Sequence, residues 1–310
     1  MSKIKRHFRK ALAAALAANT LTAGAQQEPL TDQEKPAVKD PNATQFIRVA
    51  RDENNVRLQT GITTYAKNDI TVDLIGAIHI ADTGYYTQLN KEFKNYDALL
   101  FEMIGGGNMK NGKAVKVKKK AKDPMVAMLG DIHNMIGKML KLQAQKQGID
   151  YTAANFVHAD LSLAEFEKLQ EKKGESILGF AMQNAQPGMK QPDLQKLLTA
   201  LLSGNADGMK LELVDTLGGA GNHIASMLGD SVIIDDRNNA CLKVLGEQVK
   251  VGKKKLGIFY GAAHFSDMES ELLKMGYKKT SHRWLTAWDI PKAAAKPLPD
   301  KKSTEVPDAA

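Results

Sequence analysis

The chain has 310 residues, 43% hydrophobic and 25% charged, with a single cysteine and a formal net charge of +8. This is enough chain and apolar content for a packed core. The lone Cys241 excludes an internal disulfide, and no run approaches the roughly 18 consecutive apolar residues that a membrane helix needs.

The N-terminus accounts for much of the charge. Lys3, Lys5, Arg6, Arg9 and Lys10 precede an apolar stretch, Ala11 to Ala18, and Ala23-Gly24-Ala25 has the small-x-small form of a cleavage site. Residues 1–25 are therefore expected to be a signal peptide, giving a protein that is periplasmic or secreted. No cysteine stands at the cleavage point to take a lipid. Removal leaves 38 basic against 35 acidic side chains, a net charge of only +3. The remaining excess sits at Lys110, Lys113, Lys116 and Lys118 to Lys120 without interleaved aromatics, which suits a solvated loop better than a nucleic-acid groove.

Residues 26–43 are polar and carry Pro29, Pro36 and Pro41, so a disordered lead-in is expected before one α/β domain over 44–290. Val56 to Tyr65 and Ile70 to Ile75 are β-rich runs joined by Ala66 to Asp69, a hairpin. It leads into Leu74-Ile-Gly-Ala-Ile-His79-Ile-Ala-Asp82, and this stretch returns 185 residues later as Phe259-Tyr-Gly-Ala-Ala-His264-Phe-Ser-Asp267. Each copy follows an apolar run and precedes a helical pattern, so each histidine is expected where a strand ends and a helix begins. Open α/β sheets place their chemistry there. Two imidazoles suit a mere turn poorly, although a duplicated turn with tolerated histidines is the plainer reading.

Tyr85, Tyr86, Leu89 and Phe93 fall at helical spacing, with Asp82 or Thr83 placed to cap that helix. Ser266 and Glu269 have capping-box spacing in the second copy, so the repeated aspartates read as caps more readily than as ligands. Ala98 to Met103 is a short apolar strand that delivers Glu102 and gives way to a glycine-rich segment. Strand, helix and strand make a βαβ unit, and Glu102 and His79 are expected on neighbouring strand ends at one edge.

A helical insertion is expected over 123–225, starting at Asp123-Pro124 with a stripe from Met125 to Leu140 that is core packing or a haem or peptide cradle. Further helices are expected at Ser162 to Lys172, Glu175 to Gln183 and Asp193 to Leu202. His133, His158 and His223 are isolated; only His158 has a carboxylate, Asp160, two residues away. No G-x-S-x-G elbow or Walker loop is present. Ser231 to Ile234 reads as a strand, and Asp235-Asp236-Arg237 opens a helix with Arg237 on its inward face. An inward guanidinium needs a partner. Arg237 is therefore either a salt bridge to Asp235 or Glu102 or a cation facing a substrate oxyanion. Residues 291–310 form an Ala/Pro/Lys-rich tail, expected to be disordered.

The two G-x-x-H motifs, Glu102 after the first, Asp236-Arg237-Asn238 before the second and the helical middle resemble the TraB/GumN family. That family is grouped with the TIKI metalloproteases, the erythromycin esterases and the ChaN-like haem-binding proteins. The resemblance runs from about residue 57 to 290. It implies an α/β fold with a duplicated βαβ core, a central mixed or parallel sheet and a helical insertion or cap between the halves. It also implies hydrolysis of a peptide or ester bond through His79, Glu102 and His264, with Arg237 nearby. As metal ligands, His79, Glu102 and His264 would take a divalent ion of the Zn, Mn or Co class with an open position for water. Without metal, a histidine base oriented by Glu102 would act beside Arg237. A rival of another class is a non-catalytic protein that binds haem or a hydrophobic peptide. The expected partner is a peptide or small-molecule substrate, with no nucleic acid and no membrane span.

Overall fold

A mixed sheet of seven strands, flanked by helices, organises the computed structural model. The strands are β1 (Ile47–Arg51), β2 (Asn55–Lys67), β3 (Ile70–Ala77), β4 (Ala98–Phe101), β5 (Phe156–His158), β6 (Lys255–Gly261) and β7 (Lys278–Pro291). Their spatial order is β1-β2-β3-β6-β4-β5, with β7 paired to β2. The structure describes residues 43–105, 109–110, 113–114, 134–175, 193–227 and 232–292. The signal peptide expected at 1–25, the segment 26–42, most of the lysine run, Met125 to His133, most of the helix expected at Glu175 to Gln183 and the tail beyond Lys292 lie outside them. No helix among the described residues is long and apolar enough to cross a membrane.

The hairpin forms as expected but with a tighter turn. Lys67 pairs with Ile70, leaving Asn68-Asp69 as a two-residue loop in which Asn68 takes φ 53°, a conformation asparagine tolerates better than most side chains. β3, β6, β4 and β5 all run parallel, so their carboxyl ends share one edge. Alternate residues fill opposite cores. Val72, Leu74, Leu100, Ile258 and Tyr260 face one side, and Ile75, Leu99, Phe101 and Phe259 face the other. A strand buried on both faces reads as a continuous apolar run, as these do.

The helices divide between the faces. α1 (Thr83–Phe93) buries Tyr85, Tyr86, Leu89 and Phe93 on the Phe259 side. α5 (Arg237–Lys250) and α6 (Phe265–Lys274) bury Cys241, Leu245, Phe265, Met268 and Leu272 on the other. Between the repeats lie α2 (Leu163–Lys173), α3 (Leu194–Leu202) and α4 (Ala206–Met227). A complete capping box starts α2, where the Ser162 side chain accepts from the Glu165 amide and Glu165 accepts from the Ser162 amide. Asp193 caps α3. In the described part of the Met-rich helix, 134–140, Ile136, Met139 and Leu140 pack into the core, as soft core packing requires.

The two copies lie on adjacent parallel strands, each followed by a helix and then another strand. Gly76 pairs with Tyr260, not with Gly261, a stagger of one residue. Because side chains alternate along a strand, this stagger turns equivalent residues to opposite faces. Their helices lie on opposite faces as well, so a half-turn about the strand direction interchanges the two units. The closing strands differ in sense: β4 runs parallel to β6, whereas β7 is antiparallel to β2.

Three local expectations are corrected. The strand expected at Ser231 to Ile234 does not form over its described residues: Val232–Asp236 is a π-helical turn that runs into α5. Four apolar residues cannot distinguish a buried strand from a buried helical turn by periodicity. The Ser266/Glu269 capping box does not form, because no side chain caps α6 and Glu269 accepts instead from the Tyr65 hydroxyl at 2.6 Å and from Thr44 Oγ1 at 2.7 Å. Finally, the strands that deliver His79 and Glu102 are not neighbours, since β6 enters the sheet between β3 and β4.

Candidate functional site

The carboxyl edge of the parallel strands gathers Glu102 from the end of β4, His264 after β6, Asp160 after β5 and Arg237 from the first turn of α5. His79, two residues past β3, acts electrostatically on both Glu102 and His264. The insertion of β6 adds a contact, for the Gly261 amide donates to Glu102 Oε2 at 2.7 Å. A Cβ on Gly261 would stand 3.4 Å from that oxygen and 3.7 Å from His264 Cδ2. The glycine of the second motif thus lies directly against the carboxylate. Gly76 has a different reason: a Cβ there would meet Thr60 Cβ at 3.1 Å and two backbone oxygens, Gly61 O and Phe46 O, at 3.2 and 3.3 Å.

Arg237 is 6% exposed and lies between two carboxylates. Nη2 donates to Glu102 Oε1 at 2.6 Å and to Asp160 Oδ2 at 2.7 Å, and Nε donates to Asp160 Oδ1 at 3.0 Å. The Asp160 contact is the bidentate fork that guanidinium geometry favours. Of the two roles the sequence leaves open for Arg237, the salt bridge is present, to Glu102 and to Asp160 as well. In the sequence Asp160 stands out only as a carboxylate two residues from His158, a faint signal. It follows a three-residue strand, Phe156–His158, inside a segment that otherwise reads as helical. His158 itself faces the Met103 carbonyl at 2.8 Å. His133 and the side chain of His223 lie outside the described residues.

The charge states follow from these contacts. Burial pulls the Glu102 carboxyl upward, but Arg237 first, then His264, His79 and the Gly261 amide, outweigh it and hold the group well below the usual carboxylate range. Burial likewise works against the Arg237 charge, and Glu102 and Asp160 overcome it. His264 is 4% exposed, and burial drives its pKa down to about 3, so its ring is neutral at physiological pH. His79 is exposed at the same edge.

Both rings are held by side-chain amides. His264 Nδ1 lies 2.7 Å from Asn238 Oδ1, while Asn238 Nδ2 donates to Asp267 Oδ2 at 2.8 Å and to the His264 carbonyl at 3.2 Å. His79 Nδ1 lies 3.1 Å from Gln145 Oε1, and Gln145 Nε2 donates to the Tyr151 hydroxyl at 3.0 Å. The repeated aspartates are thus not side-chain caps. Asp82 holds the N-cap position of α1 without a capping bond and accepts from the Asp289 amide at 2.8 Å. Asp267 anchors Asn238. Gln145 had no sequence signal at all, since it comes from the insertion.

On its other side His264 Nε2 stands 3.8 Å from Glu102 Oε1. Two acceptors at that separation attract a donor between them, such as a hydroxyl or a water. The same atoms suit a resident metal less well in this arrangement. Glu102 Oε1 already meets a guanidinium, whose charge would face any cation bound there. Among the described residues, no group of three or more His, Cys, Asp and Glu has metal-holding spacing. No family model, curated protein or solved structure matches the chain.

Proposed function

We propose that this protein is an exported hydrolase of the TraB/GumN type, cleaving a peptide or ester bond at the sheet edge occupied by His79, Glu102 and His264. The supporting observation is the pair of acceptors, neutral His264 Nε2 and ionised Glu102 Oε1, 3.8 Å apart at the carboxyl ends of parallel strands. Such a pair holds and polarises a water for attack on a carbonyl. A pKa near 3 makes His264 too weak a base to keep the proton itself at neutral pH. His79, on the exposed side, is the group able to pass that proton to solvent. Arg237 and Asp160 keep Glu102 ionised and in place, so Arg237 supports the carboxylate instead of meeting the substrate. Export rests on the first 25 residues, and the metal expectation rests on the resemblance.

The test uses untagged mature protein on a panel of peptide and ester substrates, with and without a chelator. Hydrolysis should fall by about 10²- to 10⁴-fold in His79→Ala and be lost in His264→Gln. Full activity in both variants would overturn the proposal. So would a wild type that hydrolyses nothing and carries a haem Soret band, which would favour the binding-protein alternative. Chelator-sensitive turnover would restore the metal to the site.

A further inference from the structure

We infer that Asn238 and Gln145 are positioning residues that fix both site histidines as Nδ1–H tautomers, so that both rings present Nε2 as the reacting nitrogen. The catalytic consequence rests on the hydrolase reading above; the tautomers themselves do not.

The assignment at His264 follows from what each group is able to donate. The Asp267 carboxylate accepts only, so the Asn238 atom 2.8 Å from it must be the amide nitrogen. The same nitrogen faces the His264 carbonyl, a second acceptor. The Asn238 oxygen is then the atom 2.7 Å from His264 Nδ1, and an amide oxygen accepts only, so Nδ1 carries the proton. With the ring neutral, the lone pair lies on Nε2, the nitrogen that faces Glu102. Asn238 is fully buried, and no solvent competes for this chain of donors.

At His79 the same pairing recurs with a residue from an unrelated part of the chain. Gln145 is 8% exposed, its backbone amide donates to the His79 carbonyl at 2.8 Å, and its side-chain oxygen faces Nδ1. Its nitrogen meets the Tyr151 hydroxyl, which is able to donate or accept, so this second lock is the looser of the two. The two copies thus share an amide oxygen on Nδ1, which makes Nε2 the unprotonated nitrogen of each neutral ring. A second-shell bond of this kind selects the ring nitrogen that reacts.

Long-range ¹H–¹⁵N correlation spectra of ring-labelled wild-type protein at neutral pH decide the matter. In its neutral ring each histidine should show a protonated Nδ1 and a pyridine-type Nε2. A wild-type His264 that is Nε2-protonated or doubly protonated would overturn the inference, and an Nε2–H tautomer at His79 would remove Gln145 from it. Asn238→Leu should lose the single-tautomer signature at His264, and the exchange Asn238→Asp with Asp267→Asn should keep it, because acceptor and donor trade places; loss in the exchange would sink the lock. In turnover, Asn238→Leu should lower kcat by about 10- to 100-fold with KM little changed, and the exchange should recover most of it. If the spectra are as expected while the wild type cleaves nothing, the hydrolase reading fails and the lock stands.

Discussion

The two copies of the motif have the same spacing and different fates. After β6 the chain turns at once: Ala262–His264 forms a 3₁₀ turn, α6 begins at Phe265, and His264 is carried into the interior. After β3 the chain first runs outward, because Ile80–Ala81 pairs with Gln143–Ala144 from the insertion, and α1 begins only at Thr83. His79 is left exposed on that excursion. The aspartates diverge similarly: Asp267 holds the amide that orients His264, and Asp82 is tied to the backbone of β7. A repeated sequence therefore gives a repeated location, and the element that packs against it sets the role. The pair that results is asymmetric, with one ring buried and the other exposed.

The sharpest way to break this comparison is to remove the ion pair that serves only the buried copy. Arg237→Met leaves Glu102 and Asp160 as uncompensated buried carboxylates, and unfolding free energy should fall by about 3–5 kcal/mol in urea denaturation. A loss below about 1 kcal/mol would show that the charges are better solvated than their burial implies.

A pH series tests the burial of the second-copy histidine next. His264 titrates near 6.5 in the unfolded chain and near 3 in the folded one, so between those values the unfolded state binds a proton that the folded state does not. Stability should be complete above pH 6.5 and fall as pH drops through the window, by roughly 1.4 kcal/mol per unit at most. Glu102, held below its ordinary 4.5, adds loss in the same direction only below that value. His282, also lowered by burial, contributes in the same sense, so the measurement is a difference between variants. His264→Gln should flatten the slope of thermal stability between pH 4.5 and 6.5; a slope equal to the wild type's would show that the His264 ring is not held neutral by its burial.

The glycines give the smallest difference. Gly76→Ala forces a Cβ against backbone oxygens at 3.2 and 3.3 Å and should cost about 1–3 kcal/mol. Gly261→Ala makes only ordinary contacts at 3.4 and 3.7 Å and should cost less. Denaturation curves of the two variants, read side by side, check the order; the reverse order would place the tighter backbone contact in the second copy.

Much of this molecule was legible in its residues. The apolar runs at Leu74, Leu99 and Ile258, the helical stripe from Tyr85 to Phe93, the inward face of Arg237 and the repeat itself all stem from local periodicity, which a chain carries wherever it folds. So does the location of His79, His264 and Glu102 at strand ends. Tertiary structure alone decided who touches whom. The placing of β6 between β3 and β4 brought Gly261 to Glu102. The closure of β5 beside β4 brought Asp160 to Arg237. The pairing of Gln143–Ala144 with Ile80–Ala81 exposed His79 and brought Gln145 to it. Those contacts join residues far apart in sequence, and they are fixed by which strand pairs with which. No spacing within one segment records that choice, because a hydrogen-bond partner is selected by the fold's packing and not by the period of its own strand or helix.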